Sequence, residues 1–79
     1  MNITVYTGAS CPGCAATERA LTKAGISYVT KTPTESDIEW FRALGHRSYP
    51  VVIVKSGETV LDQWHGFRPD KINALEVPS

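Results

Sequence analysis

Two cysteines are the residues of this 79-residue sequence whose type and spacing most clearly allow chemistry. Cys11 and Cys14 are separated by Pro12 and Gly13, which makes a Cys-x-x-Cys motif. A pair at this spacing can form a redox-active disulfide, a buried structural pair or half of a zinc site. Small scaffolds held by disulfides usually contain four or more cysteines, so one pair favours redox chemistry or metal binding.

Glycines, prolines and the hydrophobic pattern divide the chain into alternating strands and helices. The predicted strands cover residues 2–7, 27–31, 51–54 and 59–64, and the predicted helices cover residues 12–24, 33–45 and a short segment from 69. The run from Val51 to Val54 is β-branched throughout, which is typical of a strand covered on both faces. The order β-α-β-α-β-β-α predicts an α/β fold with helices on both faces of a mixed sheet, a parallel first β-α-β unit and an antiparallel hairpin.

Each of the first two predicted helices has an apolar side. In the first helix this side consists of Ala16, Thr17, Ala20, Leu21 and Ala24. In the second helix it consists of Ile38, Phe41 and Leu44. Ser36 and Glu39 have the spacing of a capping box, so they are expected to form the start of the second helix.

The first helix places the two thiols in different surroundings. At about 100° per residue, Cys14 projects within about 20° of Leu21 on the buried side, and Cys11 lies about 60° further round. Free backbone N–H groups and the positive end of the helix dipole favour a thiolate at Cys11. Because the thiolate is the nucleophile, we expect Cys11 to attack a substrate disulfide and Cys14 to resolve the mixed disulfide.

A zinc site is the main alternative for the pair, because Cys11, Cys14, His46 and His65 are four acceptable ligands. The two histidines are 19 positions apart and fall in different predicted elements, which is poor spacing for such a site. The strand, Cys-x-x-Cys, helix order favours the redox interpretation. Each histidine alone is expected to be a solvated loop residue, and no metal is expected.

Tyr49 and Pro50 immediately precede the buried strand. Proline is sterically allowed at the first position of a strand, so it need have no other role. Alternatively, a cis-proline here would present backbone hydrogen-bonding groups to an extended substrate across from the thiols. The residues alone do not choose between these two interpretations.

Length and composition exclude several functional classes. A chain of this size forms a single domain, residues 1–79, with no room for a large cofactor. Eight basic and eight acidic residues give zero formal charge, which argues against nucleic-acid binding. No stretch approaches the length of a membrane span, and the N-terminus lacks a signal-peptide pattern. We therefore expect a cytoplasmic protein without membrane or nucleic-acid partners.

Taken together, these features resemble the thioredoxin fold in its shortest, glutaredoxin-like version, with a four-stranded mixed sheet flanked by three helices. The resemblance covers nearly the whole chain. The segment from Trp64 to Ile72, WHGFRPDKI, is similar to the Trp-x-Gly-Phe-Arg-Pro-Asp-x-Ile signature of NrdH-redoxins. Ordinary glutaredoxins have a glutathione-binding Gly-Gly-x-Asp type motif there, and this chain lacks it.

The resemblance to NrdH-redoxins implies an electron carrier. Such a dithiol protein donates electrons to class Ib ribonucleotide reductase, at its large subunit, and is re-reduced by thioredoxin reductase with NADPH. The implied carrier is a monomer with no bound cofactor besides the Cys11–Cys14 disulfide. Family members commonly have bulkier or polar residues between the cysteines, so Pro12-Gly13 is a departure that could shift redox poise and partner preference.

The resemblance also implies roles for residues outside the motif. Active-site support is expected from Pro12, Gly13, Tyr49 and the cis-proline Pro50. Partner contacts are expected from Trp64, His65, Gly66, Phe67, Arg68 and Asp70. Among these, Phe67 is expected to be a core aromatic, Trp64 to lie at the site, and Arg68 to brace the loop.

Two further function classes remain open. A glutathione-dependent glutaredoxin would turn over with glutathione and its reductase, and would not need thioredoxin reductase. A zinc-binding or interaction module without redox activity would contain stoichiometric zinc when purified under reducing conditions.

Overall fold

The computed structural model describes residues 2–8 and 11–75. Within them, the elements are β1 (Asn2–Tyr6), α1 (Pro12–Lys23), β2 (Val29–Lys31), α2 (Glu35–Ala43), β3 (Val51–Ser56), β4 (Thr59–His65) and α3 (Pro69–Ala74). This is the order that the sequence predicts, although β2 begins two residues later than expected. None of the described helices is long and apolar enough to cross a membrane.

The sheet brings three loops of the chain to one end. The strand order is β2-β1-β3-β4, with β1 parallel to β2 and antiparallel to β3, and with β3 antiparallel to β4. Tyr6 at the end of β1 pairs with Val51 at the start of β3, and Val51 pairs with His65 at the end of β4. Three loops therefore meet at one end of the sheet: those that follow β1, precede β3 and follow β4.

Two apolar clusters cover the two faces of the sheet, and β3 contributes to both. Val52 and Val54 pack with Leu21 of α1 and Ile72 of α3 on one face. The other face is covered by α2, where Phe41 packs against Val51 and Ile53. All four β-branched residues from Val51 to Val54 are at most 2% exposed. Each such side chain stabilises the fold by about 1.5–3 kcal/mol, so the buried strand anchors the adjoining site.

The apolar side of α1 is narrower than the sequence predicts. Cys14, Thr17 and Leu21 are its buried residues, one turn apart along the helix. Ala24, expected on the same side, is exposed because the helix ends at Lys23 and Ala24 is its C-cap. Gly25 follows with φ of 73°, a conformation that favours glycine and turns the chain toward β2.

The capping box of α2 is formed by Thr34 and Asp37, not by Ser36 and Glu39. The Asp37 N–H donates to Thr34 Oγ1 at 3.2 Å, and the Thr34 N–H donates to Asp37 Oδ2 at 2.9 Å. The N-cap lies two residues before the predicted Ser36, because Thr34 has the extended backbone of an N-cap, φ −81° and ψ 174°. Ser36 lies inside the first turn and is exposed.

The apolar stripe predicted for α2 is also only partly buried. Phe41 is 3% exposed, whereas Ile38 and Leu44 are 36% and 39% exposed. A single sheet face covered by one nine-residue helix leaves the flanks of that helix in solvent. Ile38 instead lines a cleft together with Tyr49 and His46.

The corrected cap can be tested by substitution. Thr34→Ala removes the side-chain oxygen that accepts from the Asp37 N–H, and so breaks the capping box. The free energy of unfolding should therefore fall by about 1 kcal/mol. Ser36→Ala is the matched control and should change it by less than about 0.5 kcal/mol. Urea unfolding of the oxidised protein followed by tryptophan fluorescence measures both. A larger loss for Ser36→Ala than for Thr34→Ala would contradict the assignment.

Candidate redox site

The two cysteines are joined by a disulfide at the N-terminus of α1, with their Cα atoms 5.2 Å apart. Cys11 is the N-cap, with extended φ of −114° and ψ of 93°, and Pro12 is the first helical residue. The Cys14 N–H donates to Cys11 Sγ at 3.1 Å and also lies 3.2 Å from the Cys11 carbonyl oxygen. The sulfur of Cys11 thus occupies the place that a serine or aspartate oxygen takes in an ordinary cap.

The two sulfurs differ in accessibility. Cys14 is 4% exposed, on the side of α1 that carries Leu21, while Cys11 is partly exposed at the end of the helix. The predicted difference in exposure is therefore confirmed. An incoming group reaches Cys11 first, and Cys14 lies behind it against the core.

The charge around the helix start favours a negative sulfur. The first turn of α1 contains no acidic residue. The last turn of the helix contains the basic residue Lys23. The N–H groups of the first turn therefore have no carboxylate from their own turn beside them. When the disulfide is reduced, the group placed to use these donors is the Cys11 thiolate.

A cis-proline faces the motif. The Tyr49–Pro50 peptide bond is cis, and Pro50 is buried, which agrees with the family-based expectation. The Gly66 N–H donates to the Pro50 carbonyl oxygen at 2.9 Å, which ties the end of β4 to the start of β3. This hydrogen bond thus holds the cis-proline against the residue that follows β4.

Gly13 lies where the three loops meet. A Cβ atom on Gly13 would be 3.2 Å from Pro50 Cδ, 3.7 Å from the Tyr49 carbonyl oxygen and 3.8 Å from the Phe67 backbone nitrogen. The structure therefore brings together Gly13, Tyr49, Pro50 and Phe67, which are four of the residues expected around the site. The absence of a side chain at Gly13 lets these backbones approach one another.

The packing of the two aromatic residues is the reverse of the expectation. Trp64 is 3% exposed in the core and Phe67 is 44% exposed. Trp64 pairs with Val52 in the sheet and so points to the face covered by α1 and α3. Phe67 follows Gly66, whose φ of 77° ends the extended conformation of β4 and turns the chain. Phe67, and not Trp64, presents an aromatic ring at the surface of this segment.

Arg68 pairs with Asp70 at the start of α3. Arg68 Nε and a second guanidinium nitrogen donate to the two Asp70 oxygens at 3.1 and 2.9 Å. The hydrogen bond from Arg68 lowers the pKa of Asp70, and the same bond raises the pKa of Arg68. Both side chains are half exposed, so the pair orders this turn but adds little stability. Whatever it contributes is present above the ordinary carboxyl pKa and is lost as pH falls through the lowered one.

The two histidines lie close together, which their spacing in the sequence does not indicate. His46 Nδ1 is 2.9 Å from His65 Nδ1, and His46 Nε2 is 2.6 Å from Gln63 Oε1. Gln63 and His65 are two residues apart on β4 and share the sheet face covered by α2, which is the signal that could have placed them together. Within residues 2–8 and 11–75, no group of three or more His, Cys, Asp or Glu could hold a metal ion, so the four zinc ligands considered above do not converge.

Comparison with known proteins identifies the family. Residues 3–60 match the glutaredoxin family model. The chain is 42% identical to the glutaredoxin-like protein NrdH of Escherichia coli K12 over 79 aligned positions, which cover 95% of this chain and 89% of the relative. It is 34% identical to a glutaredoxin of Neisseria meningitidis over 61 positions, 72% of this chain and 69% of that protein.

Solved structures agree. The structure of the glutaredoxin-like protein NrdH-redoxin from Escherichia coli, presented as the basis for its thioredoxin-like activity profile, matches with a TM-score of 0.80 and 40% identity over 100% of this chain and 99% of that one. Thioredoxin f2 of Chlamydomonas reinhardtii shares the fold, with a TM-score of 0.66 and 19% identity over 92% of this chain and 72% of that one. The chain therefore belongs to the glutaredoxin family as a glutaredoxin-like protein of the NrdH type, and it is a thiol-disulfide oxidoreductase.

Proposed function

We propose that this protein carries electrons from thioredoxin reductase, and so from NADPH, to the large subunit of class Ib ribonucleotide reductase. The proposal is supported above all by the position of the segment from Trp64 to Ile72. This segment has the NrdH-redoxin sequence in place of a glutathione-binding motif, and its Phe67 backbone nitrogen lies beside Gly13 of the redox motif. The Escherichia coli relative is described as having a thioredoxin-like activity profile.

In the proposed exchange, Cys11 of the reduced protein attacks one sulfur of the target disulfide. The target S–S bond breaks as the Cys11–target bond forms, and the second target sulfur leaves as a thiolate that takes a proton from water. Cys14 then loses its proton and attacks Cys11 Sγ, which releases the first target sulfur. Two electrons pass to the target, and the Cys11–Cys14 disulfide remains.

The surface around Cys11 suits an extended polypeptide partner. Beside the disulfide, Gly13 lies without a side chain against the Tyr49–Pro50 segment, and an extended partner backbone is proposed to pair there. Phe67 adds an exposed aromatic ring next to this backbone, and aromatic anchors of this kind contribute strongly to protein contacts. The carrier is proposed to act as a single-domain monomer in the cytoplasm, with no bound cofactor other than its own disulfide.

Glutathione dependence is the competing proposal. It is favoured by the similarity to a Neisseria glutaredoxin. The Pro12-Gly13 dipeptide is nearer to the Pro-Tyr of a glutaredoxin, or to a reversed thioredoxin Gly-Pro, than to the usual residues of NrdH-redoxins. Against it, the stretch from Gly66 to Asp70 has an exposed Phe67 and an Asp70 already paired with Arg68.

Trapping of the mixed disulfide tests the roles of the two cysteines. Cys14→Ser should accumulate a covalent complex with a disulfide-containing partner through Cys11, because the resolving thiol is missing. Cys11→Ser is the matched control and should trap little, since the buried Cys14 is poorly reached. Non-reducing electrophoresis and mass spectrometry of the linked peptide measure both. Trapping through Cys14 in Cys11→Ser, with none in Cys14→Ser, would reverse the assignment.

Reductase selectivity tests the electron source. With NADPH, thioredoxin reductase and a disulfide substrate, the protein should support steady NADPH oxidation at 340 nm. With glutathione, glutathione reductase and the same substrate, turnover should be at least about tenfold slower, because no glutathione-binding motif is present.

Two further arms complete this test. Deoxyribonucleotide formation by class Ib ribonucleotide reductase should depend on the reduced protein, and Phe67→Ala should raise the KM for thioredoxin reductase without changing the urea midpoint. Turnover on glutathione but none with thioredoxin reductase would overturn the proposal.

A further inference from the structure

The histidine cluster lies outside the dithiol chemistry. His46 belongs to the loop that enters β3, His65 ends β4, and Gln63 precedes His65 by two residues. The imidazole rings of His46 and His65 have centroids 5.1 Å apart and planes inclined by 74°. His46 also packs edge-on against Phe41, with ring centroids 6.4 Å apart, so its position is fixed from the core side.

The hydrogen bonds define which nitrogens carry protons. The Gln63 carbonyl oxygen accepts from His46 Nε2–H at 2.6 Å, so His46 Nδ1 has a free lone pair. That lone pair accepts from His65 Nδ1–H at 2.9 Å. Metal-binding histidines typically have this arrangement, in which one ring nitrogen donates to an oxygen and the other faces the ion.

The separation of the two Nδ1 atoms suits two adjacent ligands of one ion. With metal–nitrogen bonds of about 2.0 Å, ligands at right angles lie about 2.8 Å apart, whereas tetrahedral ligands lie about 3.3 Å apart. The observed 2.9 Å is a hydrogen-bond distance, and it is nearer to the right-angle separation than to the tetrahedral one. Cu²⁺ prefers this geometry and imidazole ligands, and it binds most tightly in the divalent series.

We propose that His46 and His65 form a binding site for a tetragonal divalent metal ion, Cu²⁺ above all, with both Nδ1 atoms as ligands and water in the remaining positions. The ion replaces the hydrogen bond between the rings, and with bonds of about 2.0 Å it lies to one side of the line that joins the two Nδ1 atoms. His65 is exposed, so its Nδ1 proton is exchanged through water for one on Nε2, and the pair releases no net proton. Gln63 holds the His46 ring in the tautomer that binds.

The site joins the loop that precedes the cis-proline to the end of β4. His46 precedes Pro50 by four residues, and His65 pairs with Val51, which follows it. A bound ion therefore links the loop that enters β3 to the end of β4, which pairs with β3. Arg42 and Arg47 line the adjoining cleft of about 470 Å³, and their positive charge keeps the affinity below that of a site with carboxylate ligands.

Titration with Cu²⁺ tests the site directly. The oxidised protein is used because its disulfide-bonded sulfurs are not thiolate ligands, and the chain has only two histidines. Calorimetry with glycine as a weak competing chelator should give one Cu²⁺ per chain, and electron paramagnetic resonance should show coupling to two imidazole nitrogens. His65→Ala should weaken binding by at least about tenfold, and Thr59→Ala, an exposed residue on the same strand, should not change it.

Two variants separate metal binding from folding. Gln63→Leu should weaken Cu²⁺ binding by about 10–100-fold and Gln63→Glu should restore or strengthen it, because a carboxylate also accepts from His46 Nε2–H. Urea midpoints of the variants show whether each is folded. Equal Cu²⁺ affinity of wild type and folded His65→Ala, or coupling to one imidazole nitrogen only, would overturn the proposal.

Discussion

The hydrogen bond from the Cys14 N–H to Cys11 Sγ is the interaction on which the function of this fold depends. It places a sulfur at the N-cap of α1, where backbone N–H groups have no partner within the helix. An oxygen in this position would only cap the helix. A sulfur there both caps the helix and is stabilised as a thiolate, so one local feature provides structure and reactivity.

The sheet supplies what surrounds that sulfur. Because β3 is antiparallel to both β1 and β4, the end of β1, the start of β3 and the end of β4 lie at the same edge. Pro50 and Gly66 are joined there by a backbone hydrogen bond, and Gly13 approaches both Pro50 and the Phe67 backbone. The run from Val51 to Val54 is buried on both faces, so the groups around the disulfide adjoin a strand that is anchored in the core.

The order of the elements and the different exposure of Cys11 and Cys14 follow from periodicity in the sequence. The start of α2 could not be assigned in the same way, because Thr34/Asp37 and Ser36/Glu39 have the same spacing and only backbone conformation selects between them. The predicted burial of Trp64 and Phe67 is the reverse of the observed burial. It depends on the pairing of Trp64 with Val52 and on the turn at Gly66, which the sequence pattern does not show. The contact between His46 and His65 is tertiary, and only the shared strand face of Gln63 and His65 indicates it.

We expect the start of α1 to make Cys11 the more acidic of the two thiols. Reduced protein with ¹³C-labelled cysteine Cβ atoms can be titrated by NMR, which follows each cysteine separately. On this assignment Cys11 titrates first, with a pKa below the ordinary thiol value of about 8.5, and the buried Cys14 titrates at higher pH. A Cys14 that loses its proton before Cys11, or a Cys11 pKa at or above the ordinary value, would contradict it.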